Sequence, residues 1–154
     1  MEPVTVIDDF LSADEIAEYC QLIDRERNTA NNICRRDTLK NEFWSRHEAR
    51  CRELGIVSLK SHVTFSKNTT HIDWHKDTVF GDETHKLLIY LSAFKEDSGG
   101  GTLFKIPESN TIRRIAPQPG RLVIFDIRLE HAGEPFPAGM CKYSIGFRGV
   151  CVRR

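Results

Sequence analysis

The sequence predicts an α+β domain, and three observations predict it: helical periodicity is confined to the first third, everything after about residue 57 reads as short β-rich runs, and the breaks between those runs carry turn residues. In "DDFLSADEIAEYCQLI", Ser12 and Glu15 stand three apart as a capping box, each side chain placed to accept from the other's backbone N–H. Ile16, Tyr19, Cys20 and Ile23 recur at helical spacing, which predicts a helix from Ala13 to Asp24. Leu39, Phe43, His47, Cys51 and Leu54 repeat the pattern, and Gly55 suits a left-handed cap, so a second helix ends there.

The strand-like runs are "SLKSHVTFS", "HKLLIYLSAF", "GTLFKI", "NTIRRIAP", "RLVIFDI" and "KYSIGFRGVCV"; "EDSGGG" and "PQPG" between them supply the Gly and Pro of tight turns. Antiparallel strands preceded by helices that cover one face make a sandwich or barrel. The 154 residues contain no repeat and no linker, which predicts one domain over residues 1–154.

Lys plus Arg and Asp plus Glu both number 22, so total charge offers no attraction to a polyanion. No apolar run approaches the roughly 20 residues that span a bilayer, and "MEPVTVIDDF" lacks the layout of a signal peptide. The expectation is a soluble cytoplasmic monomer without a membrane partner. Cys20, Cys34, Cys51, Cys141 and Cys151 are odd in number and form no Cys-x-x-Cys pair, the pattern of free thiols in a reducing compartment.

The chemistry-bearing stretch is "HIDWHKDTVF", which holds His-x-Asp twice, at His71 and Asp73 and at His75 and Asp77. In an extended chain residues two apart point to one side, roughly 6.6 Å apart, close enough to share a metal ion. All four lie on odd positions, so alternation does not choose between the pairs. His131, in "FDIRLEHAGEPF" just beyond a predicted strand, offers a second imidazole. Two imidazoles and one carboxylate make the facial triad that leaves positions open on Fe(II), whereas structural zinc closes its shell with four ligands, usually including Cys.

In order along the chain, "VIDDFLSADEIAEYC", "HKD", "LLIYLS", "GGGTLF", "PQPGRLVIFD" and "HAGEPFPAGMCKYS" resemble the iron- and 2-oxoglutarate-dependent dioxygenases, specifically the prolyl 4-hydroxylase-like branch. The resemblance covers nearly the whole chain and implies a double-stranded β-helix (jelly-roll) core with the N-terminal helices packed on one face. In that family an aromatic residue precedes the metal His by about ten positions and a Tyr follows it by about fifteen. Counting from His75 gives Phe65 and Tyr90; counting from His71 gives Ser61 and Lys86. The resemblance thus implies His75, Asp77 and His131 as iron ligands, with His71 and Asp73 at the rim.

It also implies Lys142 as the cation for the distal carboxylate of 2-oxoglutarate and Tyr90 as a hydrogen-bonding partner there. Lys142 follows His131 by eleven residues, one more than the prolyl hydroxylase pattern. Lys142, Ser144, Gly146 and Arg148 share a strand face by alternation. Prolyl hydroxylases usually carry Trp where this chain has Arg148. Lys-x5-Arg is similar instead to the Arg-x5-Arg of the nucleic-acid demethylases of the superfamily, which leaves Arg148 as either a second cosubstrate anchor or a solvated charge at a strand end. Phe65 lacks the hydroxyl some relatives place there. His47, His62 and His85 have no ligand partners in sequence and read as structural or surface histidines. Trp44 and Trp74 are open between core and substrate-facing roles.

The implied reaction is hydroxylation of a substrate C–H with Fe(II), 2-oxoglutarate and O2, ascorbate serving to keep the iron reduced. A prolyl residue in a peptide or protein is the favoured substrate, a small molecule remains open, and nucleic acid is disfavoured by the charge balance. A nucleic-acid demethylase and a non-enzymatic cupin-like binding module are the alternatives, and Lys142 and Tyr90 argue against the second. Substrate recognition is expected in "RERNTANNICRRDTLKN" and in "TVFGDETH".

Overall fold

The computed structural model describes residues 2–26, 33–34, 37–60 and 64–152. Its strands and α-helices run β1 (Val4–Ile7), α1 (Ala13–Glu26), β2 (Ile33–Cys34), α2 (Asp37–Glu53), β3 (Ile56–Leu59), β4 (Thr64–Asn68), β5 (His85–Tyr90), β6 (Thr102–Ile106), β7 (Thr111–Ile115), β8 (Leu122–Asp126), β9 (His131–Gly133) and β10 (Lys142–Cys151). Every strand pairing among them is antiparallel. The larger sheet has the order β1-β8-β5-β10-β4-β2 with β3 also on β10, and the smaller is β7-β6-β9.

The capping box forms as the sequence predicts: the Ser12 N–H donates to Glu15 Oε1 at 2.9 Å and the Glu15 N–H to Ser12 Oγ at 3.2 Å. The helix it opens runs two residues past the predicted end. Gly55, at φ +86°, closes α2, with its N–H on the Arg52 carbonyl at 3.0 Å.

Alternation along β10 divides the interior. Ile145, Phe147 and Cys151 face α1 and α2, joining Tyr19, Ile23, Leu39, Phe43 and Cys51 in one core with Leu87, Ile89, Leu122 and Ile124. Phe43 and Phe147 meet at 5.0 Å between ring centroids. The opposite face looks toward the smaller sheet, where Tyr90, Val123 and Phe125 pack with Phe104 and Ile115 in a second core. Burying these side chains fully stabilises by about 1.5–3 kcal/mol each. Lys142, Ser144, Gly146 and Arg148 lie on this second face.

Two strand expectations change and one strand is added. "SLKSHVTFS" is two strands, because β3 and β4 pair with successive stretches of the same edge of β10. "HKLLIYLSAF" leaves the ladder at Tyr90, after which the Leu91 N–H reaches the Tyr143 carbonyl at 3.0 Å. His131 lies just beyond the strand β8, as expected, and itself opens a further strand, β9, whose three residues are too short for a period to register.

Cys20, Cys51, Cys141 and Cys151 are free thiols. No helix among the described residues is long and apolar enough to cross a membrane.

Candidate active site

His75 and His131 converge because they are direct antiparallel partners: the His75 N–H donates to the His131 carbonyl at 2.9 Å and the His131 N–H to the His75 carbonyl at 3.0 Å. Residues opposite one another in such a pair project to one face. Their rings lie 4.3 Å apart. Each imidazole is oriented by the carbonyl two residues before it, His75 Nδ1 by Asp73 at 2.7 Å and His131 Nδ1 by Leu129 at 2.9 Å. A carbonyl only accepts, so Nδ1 carries the proton and Nε2 keeps the lone pair a metal needs.

Asp77 completes the group, with Oδ1 3.7 Å from His75 Nε2 and Oδ2 3.8 Å from His131 Nε2. One potential ligand atom from each of the three residues lies within 4.8 Å of the other two. Asp77 Oδ2 is buried and has no hydrogen-bond partner, a state that costs about 1–3 kcal/mol or more for a charged group. A positive charge beside that oxygen, a bound ion or the Lys86 ammonium 3.8 Å away, offsets that cost. Burial also holds the His131 pKa below the usual histidine value, keeping the imidazole in its neutral, ligating form at neutral pH. Two imidazoles and one carboxylate therefore fit Fe(II).

His71 and Asp73 take no side-chain part in this cluster. They pair with each other at 3.3 Å, and the Asp73 side chain is 96% exposed against 10% for Asp77. Burial separates the two His-x-Asp pairs where alternation does not.

Lys142 is buried on the site face of β10, its Nζ 5.4 Å from the centroid of the Tyr90 ring. Burial pulls its pKa down to about 8, opposed by the charge of Glu134. The Tyr90 hydroxyl meets Thr102 Oγ1 at 2.5 Å, and burial raises its pKa, so it stays protonated. Glu134 accepts from the Gly101 N–H at 2.9 Å and from Arg114 Nε at 2.8 Å, while the same guanidinium grips both oxygens of Asp97. A Cβ on Gly101 would lie 2.7 Å from Glu134 Oε1 and 2.4 Å from the Ile115 carbonyl oxygen, the physical reason for glycine at the end of "GGG".

Arg148 is not a solvated charge. Its guanidinium donates to the Thr78 carbonyl, lies 3.4 Å from Glu83 Oε1 and sits 5.1 Å over the Phe80 ring, tying the loop after Asp77 to the strand. The Phe80 N–H and then Arg148 hold the Glu83 carboxyl below its ordinary pKa. Lys86, the cross-strand partner of Arg148, places Nζ 3.8 Å from Asp77 Oδ2. Sequence reasoning missed Lys86, Glu134 and Thr102. One signal for Lys86 was available, since alternation in "HKLLIY" sets this charge on the same face as Leu88 and Tyr90.

His47 is structural: it is buried, with Nε2 2.7 Å from the Tyr19 hydroxyl. His85 Nδ1 meets Thr84 Oγ1 at 2.7 Å. Trp44 packs against the helix-side core, and Trp74 is exposed with Lys105 Nζ 4.6 Å over its ring. Phe65 lies in β4 opposite Ile145, and its side chain is outside the described part, as are His62 and most of the segment 25–41.

A two-histidine, one-carboxylate cluster beside an interior lysine, set between antiparallel sheets, is the equipment of a mononuclear metal oxygenase. The family model described as the 2OG-Fe(II) oxygenase superfamily matches residues 61–147, and the chain belongs to that family. It is a 2-oxoglutarate-dependent dioxygenase whose cofactor is Fe(II).

Among solved structures, the chain is similar to the viral collagen prolyl hydroxylase of Paramecium Bursaria Chlorella virus-1 in complex with 2OG, at 19% identity over 99% of this chain and 97% of that one, with a TM-score of 0.66. A prolyl hydroxylase from Trichoplax adhaerens, in complex with a hypoxia inducible factor peptide fragment, is similar at 17% identity over 98% and 84%, TM-score 0.71. Iron-bound HygX from Streptomyces hygroscopicus shares 11% identity over 97% and 82%, TM-score 0.70. No curated protein matches the sequence significantly.

Proposed function

We propose that this chain, acting as one catalytic domain on a double-stranded β-helix core, hydroxylates a prolyl residue in a peptide or protein. The observation that carries the reading is the rim. The segment that holds His75 and Asp77 also exposes Ile72, Trp74, Val79 and Phe80, large apolar side chains that flank the two residues along the chain. Apolar side chains kept in water beside a reactive centre suit an apolar stretch of polypeptide, whereas a phosphate backbone calls for clustered Lys and Arg. The full-length likeness to prolyl hydroxylases supports the prolyl choice.

In this reading His75, Asp77 and His131 hold the iron. Bound there, Fe(II) with 2-oxoglutarate and O2 supplies the oxidation that converts C–H to C–OH as the cosubstrate becomes succinate and CO2. Lys142 meets the distal carboxylate of 2-oxoglutarate in a pocket lined by Tyr90, where an unpaired charge would cost several kcal/mol. Arg148 reaches the cosubstrate only by giving up Glu83, so its present contacts favour a role in holding the 78–83 loop. Phe125, 4.8 Å from the His131 ring, and Phe104, 6.1 Å from it, keep water from the ligand's inner side. Ascorbate serves as the reductant.

The test is succinate release with proline-rich peptides, free proline and methylated single-stranded oligonucleotides, with mass spectrometry of each substrate. The reading expects peptides to gain one oxygen on proline. Stimulation by the oligonucleotides alone, with the methyl group lost as formaldehyde, overturns the prolyl assignment.

A further inference from the structure

We propose that Lys86 is a positioning residue for Asp77: its ammonium holds Oδ2, so that the carboxylate binds the ion through one oxygen and leaves three positions open. The proposal rests on the metal-site reading above. Alternation on β5 puts Lys86 on the face of Leu88 and Tyr90, toward the site, and the register sets Arg148 opposite it. Like charges directly opposite in a sheet repel. Here each has a carboxylate of its own, Glu83 for Arg148 and Asp77 for Lys86.

Gly146 flanks the approach. It is two residues before Arg148 on the same face, and a Cβ there would already touch Lys86 Cε at 3.6 Å and Nζ at 4.0 Å, so the lysine stem lies across the bare glycine backbone toward Asp77. The ammonium ends 3.8 Å from Asp77 Oδ2, the buried oxygen that lacks a hydrogen bond. A carboxylate ligand needs its second oxygen oriented as much as its first, because a carboxylate that swings to bind through both oxygens takes an extra coordination position. With two imidazoles also bound, one-oxygen binding would leave the ion a position that two-oxygen binding would take, and 2-oxoglutarate and O2 would need such open positions.

The test loads the full chain with Co(II) as probe ion, without cosubstrate, and compares the parent with Lys86→Met and Lys86→Arg. Methionine keeps the stem's packing and removes the charge. Lys86→Met is expected to bind Co(II) at least as tightly as the parent, since an ammonium near the cation repels it, yet to show a changed visible ligand-field spectrum. Lys86→Arg restores the parent spectrum. On adding 2-oxoglutarate, its affinity for Co(II)-loaded Lys86→Met falls below that for the Co(II)-loaded parent, because a carboxylate that binds through both oxygens takes a position the cosubstrate needs.

A Co(II) spectrum unchanged by Lys86→Met overturns the proposal, and a loss of 2-oxoglutarate affinity alongside that unchanged spectrum assigns Lys86 to the cosubstrate instead. Loss of Co(II) binding in a folded Lys86→Met variant overturns it too, because Lys86 then builds the site rather than orienting one ligand. If the parent binds no Co(II), the metal-site reading itself falls and takes the proposal with it.

Discussion

Replacing Lys142 by methionine separates the cost of the site from its use. In the folded chain, burial lowers the Lys142 pKa from 10.5 to about 8. At 1.36 kcal/mol per pH unit, that shift means the buried ammonium costs the fold about 3 kcal/mol at neutral pH. Methionine fills the same space without the charge, and Glu134 keeps Arg114 as a partner. Lys142→Met is therefore expected to be more stable than the parent by about 2–3 kcal/mol in urea unfolding of the metal-free protein at pH 7. It should also lose 2-oxoglutarate affinity by about ten- to a hundredfold, the 1.5–3 kcal/mol of a charge-assisted hydrogen bond. The pH dependence has a definite sign. Between about 8 and 10.5 the unfolded chain binds a proton that the folded chain has released, so the parent gains stability as pH rises through that window. In the same direction its 2-oxoglutarate affinity falls, because the free site loses its cation. A Lys142→Met variant that is less stable than the parent and binds 2-oxoglutarate normally refutes this reasoning on both counts.

Buried His47 titrates at about 4 in the folded chain against 6.5 ordinarily. The unfolded chain takes the proton first, so stability should fall as pH drops from 6.5 toward 4, by on the order of 3 kcal/mol in all. Urea unfolding at pH 7 and 4.5 checks this, and His47→Phe should flatten the difference. Gly101→Ala forces a methyl group against the Ile115 carbonyl and Glu134 and should cost about 1–3 kcal/mol, read as a lower Tm.

Both helices, the Ser12 capping box, the Gly55 cap and most strands were legible in the sequence, because each rests on neighbours within a few turns of chain. The His, Asp and His of the site were legible as residue types, but the choice between the two His-x-Asp pairs came from resemblance alone. The physical discriminator is burial of Asp77 against exposure of Asp73, and burial depends on the pairing of His75 with His131, a contact between distant stretches. The same holds for β9, too short to read, and for Arg148, whose partners Thr78, Phe80 and Glu83 belong to a loop without a motif. Lys86 was written in the alternation of β5 and was passed over because a lysine on a strand ordinarily faces water.

The most direct test of the central claim is anaerobic Fe(II) titration of Asp77→Ala and Asp73→Ala beside the parent, followed by 2-oxoglutarate turnover. Asp77→Ala removes the one carboxylate of the cluster and should lose both iron binding and turnover. Asp73→Ala alters an exposed side chain, leaves its backbone carbonyl on His75 Nδ1, and should keep both. Loss of iron in Asp73→Ala with retention in Asp77→Ala would place the metal at the other His-x-Asp pair and contradict the account.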